Sequence, residues 1–227
     1  PAAAADDPAE PNGDATAALR ALGVGYFAPN GPAGAVVHAV RLSGGLQNTN
    51  FRATTAAGAD VVVRVPPPDA AKAHGQDHSV IFANGKAAAE AGVAPPALWF
   101  DPHTGVIVTE YLASNTLTAT ALKEDPDRYL PALVGVVKRL HETAHGFESS
   151  KASQVLGGYP LDILGALLPG GVPPKAWELE ALLRRSRGVF EPEVCCHNDL
   201  DPANCLITDD GEAHLIDWEW SGPGDVM

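Results

Sequence analysis

The first half of the chain alternates short apolar runs with turn residues, a pattern typical of antiparallel strands. These runs, separated by Gly-rich or Asp-Pro turns, cover residues 35–42, 49–55, 60–65, 97–100 and 106–111. Between the third and fourth runs, residues 79–91 have a helical composition and precede Gly92, a common helix stop. We therefore predict a five-stranded antiparallel sheet that is interrupted by one helix.

The rest of the chain is predicted to be mainly helical. Residues 126–141 carry apolar side chains at a helical period, which predicts a core-facing helix with Leu130, Leu133, Val134, Val137 and Leu140 on its apolar face. Further helices are predicted over residues 15–22, capped by Asp14, and over residues 175–187. This order indicates an α+β fold. A tail over residues 1–13 precedes a strand-rich lobe, residues 14–111, and a mainly helical lobe, residues 112–227.

The composition limits which classes of binding partner and which cellular compartment we expect. The net charge of −13 disfavours a nucleic-acid partner, because binding to a phosphate backbone relies on basic patches. No apolar run is long enough to cross a membrane and no signal peptide is recognisable, so we expect no membrane partner and a cytoplasmic location. The oligomeric state stays open. Since the chain begins with Pro1 rather than Met and stops at Met227, we expect it to be incomplete.

The most informative stretch is His197-Asn198-Asp199, which Asn204 and then Asp217 follow. This H-x-D-x-x-x-x-N spacing, with a later apolar run that ends in Asp, is typical of a kinase catalytic loop and its metal-binding aspartate. An aspartate can accept the proton of a substrate hydroxyl, while Asn and Asp oxygens suit Mg²⁺. Residues 204–208 and 212–216 are predicted to form a hairpin that brings Asn204 near Asp217. The alternative is a surface hairpin whose Asp and Asn residues only cap turns.

The glycine-containing turn over residues 43–48 and Arg64 are weaker signals. In a kinase-like fold, such a turn lays its backbone N–H groups over the nucleotide phosphates. Arg64 ends the third strand, where a kinase carries the basic residue that pairs with the α- and β-phosphates. The alternatives are an ordinary turn and a solvent-facing charge on an edge strand. No Walker A sequence is present, which disfavours a P-loop nucleotide-binding protein.

Several segments together resemble the choline/ethanolamine kinase family, within the wider group of aminoglycoside-phosphotransferase-like small-molecule kinases. The resemblance extends over about residues 36–227. It is carried by residues 42–48, 63–65, 109–112, 196–200 and 215–220, which read LSGGLQN, VRV, TEYL, CHNDL and LIDWEW. It implies a protein-kinase-like two-lobe fold with ATP between the lobes. The implied reaction transfers the γ-phosphate of ATP to the hydroxyl of choline or ethanolamine with the help of Mg²⁺.

The resemblance also implies roles for individual residues. Asp199 is the catalytic base, and Asn204 and Asp217 hold Mg²⁺. Glu219 and Trp220 contact the cationic head of the substrate, since aromatic faces and carboxylates hold a quaternary ammonium well. The alternative is that Trp218 and Trp220 only pack against the neighbouring lobe. Since alternate residues of a strand share one face, we expect at least one of the two to be buried. Nucleotide contacts are implied for Ser43, Gly44, Gly45, Asn48, Arg64, Glu110 and Leu112.

The sequence departs from the family pattern in the helix after the third strand. That helix usually carries a Glu that pairs with the basic residue of the strand, but alignment on Asp77 and Asn84 places Ile81 there. We then expect Arg64 to lack a carboxylate partner, so a catalytically impaired nucleotide-binding protein is one alternative. The other alternative concerns the acceptor, because thiamine and aminoglycosides are also cationic and would suit an acidic pocket. A smaller departure is Gln47, which replaces a small hydroxyl residue.

Overall fold

The computed structural model describes residues 15–43, 48–67, 77–148, 174–175, 177–178 and 194–224. The predicted cap Asp14, residues 44–47 of the glycine-containing turn and most of the helix predicted over residues 175–187 lie outside these ranges. Within these ranges, no helix combines the length and the apolar character that crossing a bilayer requires.

A five-stranded antiparallel sheet forms the first lobe, as predicted. In chain order, its strands are β1 (Val36–Leu42), β2 (Thr49–Thr55), β3 (Asp60–Val65), β4 (Ala97–Phe100) and β5 (Ile107–Glu110). They lie side by side in the order β1-β2-β3-β5-β4, and every neighbouring pair is antiparallel. In this register Arg64 pairs with Asn50 of β2 and with Ile107 of β5. Arg64 therefore lies on the central strand of the sheet, and the edge-strand alternative is wrong.

A short helix, α1 (Ala15–Ala21), covers this sheet. Two polar side chains attach it to β1: Thr16 accepts a hydrogen bond from the amide of Ala39 at 2.9 Å, and Arg20 donates one to the carbonyl of Val36 at 2.6 Å. Leu19 of the same helix enters a core of sheet side chains that includes Val36, Phe51, Val61, Val63 and Val108. The first lobe therefore has a hydrophobic core of its own, which favours independent packing of this lobe.

Helix α2 (His78–Glu90) connects the sheet to the second lobe. Asp77 caps it, because its carboxylate accepts hydrogen bonds from the amides of Ser79 and Val80 at 3.0 and 3.4 Å. The buried residues of the helix recur at helical spacing and are Ile81, Asn84 and Ala88. The helix thus presents one buried face to the second lobe and confirms the prediction for residues 79–91.

The described part of the second lobe contains helices α3 (Ala119–Glu124) and α4 (Pro126–Thr143). Its strands are β6 (Ser114–Thr116), β7 (Val194–Cys196), β8 (Cys205–Thr208), β9 (Ala213–Leu215) and β10 (Gly222–Gly224). Strands β8 and β9 form the predicted hairpin, while β6 pairs with β8 and β10 pairs with β7. The observed order confirms the predicted α+β fold with a strand-rich lobe followed by a second lobe.

Helix α4 extends slightly beyond the predicted residues 126–141 and buries a narrower face than its sequence pattern predicted. Val136 and Leu140 are buried, whereas Leu130 and Val134 are 47% and 63% exposed. The apolar period therefore predicted the helix correctly, but the prediction that Leu130 and Val134 face the core is wrong.

A second hydrophobic core joins α2, α4 and the β8–β9 hairpin. Its members include Ile81, Ala88, Leu140, Ile207, Leu215 and Trp218. The two cores share no residue, but the second also contains first-lobe side chains, among them Ile107 of β5 and Val93 and Ala94 after α2, so it joins the two lobes. Polar side chains from both lobes also contact each other, among them Asn48, Arg64 and Glu219.

Candidate active site

His197 anchors the loop that follows β7. Its ring is 2% exposed and packs against Trp218, with 4.6 Å between the ring centroids. The ring Nε2 lies 2.9 Å from the carbonyl of Ile216, and Nδ1 accepts a hydrogen bond from the amide of Asp199 at 3.3 Å. Both contacts are satisfied by the neutral ring with its proton on Nε2. Burial lowers the pKa of His197 and so favours this neutral form, although nearby backbone and carboxylate groups oppose the shift.

Asp199 and Asn204 contact each other across a tight turn. The Asn204 side-chain amide donates to the Asp199 carboxylate at 2.9 Å and to the Asp199 carbonyl at 3.0 Å. A short 3₁₀ helix, Pro202–Asn204, produces this approach, and Asp201 caps it by accepting from the amide of Ala203 at 2.8 Å. The spacing between Asp199 and Asn204 is thus that of one capped turn, which brings a carboxylate and a carboxamide together.

Asp217 follows β9 and is held beside this pair by the hairpin. The amide of Ile216 donates to the carbonyl of Asn204 at 2.9 Å, which joins the two ends of the hairpin. Asp217 has a left-handed backbone, with φ of 67° and ψ of 70°. Strain of this kind is most common at functional sites. The hairpin therefore brings Asn204 near Asp217, as predicted.

The surroundings of Asp217 fit a divalent cation. Its buried Oδ1 has no hydrogen-bond partner among the described residues, although Arg64 Nη2 lies 4.0 Å away. Burial raises the pKa of Asp217 despite the opposing charges of Arg64 and His197, and a cation would stabilise the carboxylate. The described residues hold no cluster of three or more His, Cys, Asp or Glu side chains suited to a metal. A site with one carboxylate and one carboxamide matches Mg²⁺, which takes its remaining ligands from phosphates and water.

Arg64 has a carboxylate partner, which is Glu219. The Arg64 side chain is 14% exposed, and its Nη2 forms an ion pair with Glu219 Oε1. The expectation that Arg64 would be unpaired because Ile81 replaces a Glu is therefore wrong. Ile81 is 4% exposed and packs in the second core. Burial lowers the pKa of Arg64, and the charge of Asp217 opposes that shift.

The segment after Asp217 is a 3₁₀ turn, Trp218–Trp220, and not the end of a strand. The prediction that alternate residues here share one face of a strand is therefore wrong. Trp218 is buried against His197 and against Phe147, whose ring centroid is 5.7 Å away. Trp220 is partly exposed, and its carbonyl accepts from Asn198 Nδ2 at 3.0 Å. The packing alternative thus holds for Trp218, and a substrate contact of Trp220 stays a prediction.

Glu219 lies between the lobes and is 6% exposed. Its Oε1 accepts a hydrogen bond from Asn48 Nδ2 at 2.8 Å in addition to its ion pair with Arg64. The structure therefore brings together three predicted site residues from distant parts of the sequence. Two of them, Asn48 and Arg64, were assigned to the nucleotide, whereas Glu219 was assigned to the substrate. The substrate role of Glu219 stays a prediction.

The remaining predicted nucleotide contacts border the site or lie outside the described ranges. Ser43 directly follows β1, whereas Gly44 and Gly45 are not among the described residues. Glu110 ends β5, and Leu112 lies on the connection to β6, where its carbonyl accepts from the Ser114 hydroxyl at 3.0 Å. The roles assigned to these residues stay predictions.

Two residues to which the sequence analysis assigned no role hold the site in place. Asn198 has a left-handed backbone, with φ of 64°, and reaches the carbonyl of Trp220. Asn84 is 0% exposed and links α2 to the segment after Asp217 by donating to Ser221 Oγ at 3.0 Å. The available signal for Asn198 is the tolerance of Asn for left-handed backbone. Asn84 gave a weaker signal, a polar residue on the buried face of a helix.

Comparisons with known proteins agree with this geometry. A model of the phosphotransferase enzyme family matches residues 38–227. Protein LicA of Haemophilus influenzae is 29% identical over 161 residues, which cover 63% of this chain and 54% of that protein. The crystal structure of a choline/ethanolamine kinase family protein from Mesorhizobium loti matches with a TM-score of 0.60 and 28% identity, covering 93% of this chain and 65% of that one. That of choline kinase LicA from Streptococcus pneumoniae has a TM-score of 0.61, 21% identity, and coverage of 84% and 66%.

The chain spans about half the length of the curated relatives it matches. The family match nevertheless includes β1 to β10 except for the first residues of β1, and it contains Arg64, Asp199, Asn204 and Asp217. The chain belongs to the phosphotransferase enzyme family.

Proposed function

We propose that the protein is a kinase of small molecules that transfers the γ-phosphate of ATP to the hydroxyl of a cationic alcohol, choline first and ethanolamine second. The observation that carries the proposal is the contact between Asp199 and Asn204 beside Asp217, whose buried Oδ1 has no partner among the described residues. This arrangement supplies a proton acceptor and oxygen ligands within one turn and one hairpin, which is what phosphoryl transfer to an alcohol needs.

In this proposal, four residues of the chain have separate roles in the reaction. Asp199 accepts the proton of the attacking hydroxyl and orients its oxygen toward the phosphate. Asn204 keeps the Asp199 carboxylate in place through the bond from its side-chain nitrogen, which leaves its side-chain oxygen for the metal. Asn204 and Asp217 would hold Mg²⁺, which supplies charge neutralisation at the phosphates. Arg64 would contact the phosphates from the central strand of the sheet.

Nucleotide as the phosphate donor is supported by the family and by a LicA structure with the same fold that was solved in complex with AMP. Choline as the acceptor is supported by the choline/ethanolamine kinase family protein that shares 28% identity with this chain. The acidic composition, with a net charge of −13, also favours a cationic substrate. Thiamine and aminoglycosides stay as alternative acceptors. The aminoglycoside alternative is supported by an aminoglycoside phosphotransferase that has the same fold.

The test is phosphate transfer from ATP in the presence of Mg²⁺, measured on the full-length protein, including any native sequence beyond residue 227. Choline, ethanolamine, thiamine and an aminoglycoside would be offered in parallel. We expect transfer to choline to have the highest kcat/KM and transfer to ethanolamine the next highest. A preference for thiamine or an aminoglycoside would overturn the assigned acceptor but keep the kinase. No transfer to any of them would contradict the proposed reaction.

Asp199→Asn is the variant that tests the catalytic assignment. Asn has nearly the same shape but cannot accept the hydroxyl proton, so we expect kcat to fall by about 10²–10⁴-fold while the protein stays folded. Asp209→Asn is the matched control, because Asp209 is an exposed residue of the turn between β8 and β9 and its change removes the same charge. Near-normal turnover of Asp199→Asn would contradict the assignment.

A further inference from the structure

Among the described residues, Arg64 is held through one of the two terminal nitrogens of its guanidinium. Its Nη2 lies against Glu219 and within 4.0 Å of Asp217, while its buried Nη1 has no hydrogen-bond partner among the described residues. A guanidinium with one nitrogen fixed by a carboxylate and the other unused is oriented to receive an anion. The quality of that orientation depends on the carboxylate that holds it.

Helix α2 does not supply this carboxylate. At the position where a Glu was expected, Ile81 is 4% exposed and packs in the second hydrophobic core. The acidic residue further along the helix, Glu90, forms a surface ion pair with Lys86 at 3.5 Å. Neither residue is an ion-pair partner of Arg64, whose ion pairs among the described residues are with Asp217 and Glu219.

We propose that Glu219 is the positioning residue for Arg64. It has the role of the Glu that helix α2 lacks, because Ile81 occupies that position. This inference rests on the proposed function, since it concerns how Arg64 meets the nucleotide phosphates. Glu219 acts through Arg64 and contacts neither the acceptor nor the transferred phosphate. A carboxylate from the segment after the metal-binding Asp217 thereby replaces one from a helix.

The position of Glu219 connects three parts of the site. Its Oε1 accepts from Asn48, at the end of the predicted phosphate-binding turn, at 2.8 Å and pairs with Arg64 of β3. Glu219 itself lies two residues after Asp217. Asn48 and Arg64 belong to the first lobe and Glu219 to the second, so these contacts set the approach of the two lobes at the nucleotide. Because Glu219 is 6% exposed and the Arg64 side chain 14% exposed, solvent screens this ion pair poorly.

This assignment competes with the one drawn from the family resemblance, in which Glu219 contacts the cationic acceptor. The two assignments predict different kinetics. A positioning residue for Arg64 affects the KM for ATP and kcat, whereas an acceptor contact affects the KM for the acceptor. The same substitution, Glu219→Gln, therefore separates them.

We expect Glu219→Gln to raise the Kd and the KM for ATP by at least about tenfold and to leave the KM for the acceptor within about twofold of wild type. Glu90→Gln is the matched control, since it removes a carboxylate from an exposed ion pair and should change neither constant. An increase in the KM for the acceptor with an unchanged KM for ATP would overturn the inference.

A double-mutant cycle with Arg64→Gln tests whether Glu219 acts through Arg64. If it does, the effects of the two substitutions on ATP affinity are strongly non-additive, and the double variant binds ATP about as well as Arg64→Gln alone. Additive losses would overturn the inference. Thermal melting of each variant confirms that the compared proteins are folded.

Direct ATP binding keeps this inference distinguishable from the proposed function. If the wild-type protein binds Mg²⁺-ATP but transfers phosphate to no acceptor, the proposed function fails, and the inference is decided by the ATP affinities of the same variants. If the wild-type protein transfers phosphate and Glu219→Gln is unchanged, the inference alone fails. If the wild-type protein binds no nucleotide, both fail.

Discussion

At the scale of single residues, the spacing of the catalytic loop predicted more than the apolar pattern around it. Asp199 and Asn204 contact each other because one capped turn separates them, so their relation is local and readable from the sequence. The partner of Arg64 could not be predicted in this way. Glu219 lies 155 residues further along the chain, and only the packing of the two lobes brings it to Arg64.

His197 is a residue whose burial has a consequence for pH. The pKa of its buried ring lies below the ordinary value of 6.5, mainly because burial disfavours the charged form. Below about pH 6.5, the unfolded chain therefore binds a proton that the folded protein does not, and the free energy of unfolding falls as the pH drops. Above that pH, His197 does not make the free energy of unfolding depend on pH.

The prediction can be measured by urea unfolding at pH 7.5 and pH 5.5 in wild type and in His197→Gln, whose side chain does not titrate in this range. The loss of stability between the two pH values should be larger in wild type than in the variant. Equal losses in both proteins would show that His197 does not carry the effect.

At the scale of elements, the long and strongly patterned segments were predicted well. The five strands of the first sheet, α2, α4 and the β8–β9 hairpin all formed where the sequence placed them. Strands β6, β7 and β10 were not predicted, because a strand of three residues is too short to show an alternating pattern. Strand β9 is equally short, but it was predicted because a hairpin turn connects it to β8, whereas β6, β7 and β10 pair with strands far away in the sequence. The Trp218–Trp220 turn was predicted as strand because Asp217, with its left-handed backbone, ends the regular pairing earlier than the apolar run does.

Helix α2 owes its attachment to the second lobe partly to Asn84. This side chain is 0% exposed, donates to the carbonyl of Glu148 at 2.9 Å and to Ser221 Oγ at 3.0 Å, and accepts from the amide of Glu148 at 2.9 Å. It therefore joins the helix to two separate segments of the second lobe. Loss of the side chain would remove the partner of the partly buried carbonyl and amide of Glu148, whereas Ser221 Oγ would keep its bond to the carbonyl of Trp218 at 2.7 Å.

We expect Asn84→Ala to lower the free energy of unfolding by about 2–4 kcal/mol, since each buried polar group left unsatisfied costs about 1–3 kcal/mol. Chemical unfolding measures this change. Asn115→Ala, at an exposed position of β6, is the control and should stay within about 0.5 kcal/mol of wild type. A change of similar size in both variants would contradict the role assigned to Asn84.

At the scale of the whole molecule, the two lobes meet through a shared apolar core around α2 and through polar contacts at the candidate site. The contact between Asn48 and Glu219 joins residues 171 positions apart, and the bond between Asn84 and Ser221 joins residues 137 positions apart. The order of elements in the sequence was enough to predict the fold class. The contacts between lobes depend on side chains that carry no local pattern, so they became apparent only in the folded chain.

The central claim is that Asp199 and Asp217 act at one site, the first on the acceptor and the second on a metal-bound nucleotide. The most direct measurement is the Mg²⁺ dependence of ATP binding and of phosphate transfer in wild type, Asp199→Asn and Asp217→Asn. We predict that Asp199→Asn binds Mg²⁺-ATP like wild type but transfers phosphate at least about 10²-fold more slowly. We predict that Asp217→Asn loses the Mg²⁺-dependent part of ATP binding together with turnover. Near-normal turnover in Asp217→Asn, with an unchanged response to Mg²⁺, would contradict the account.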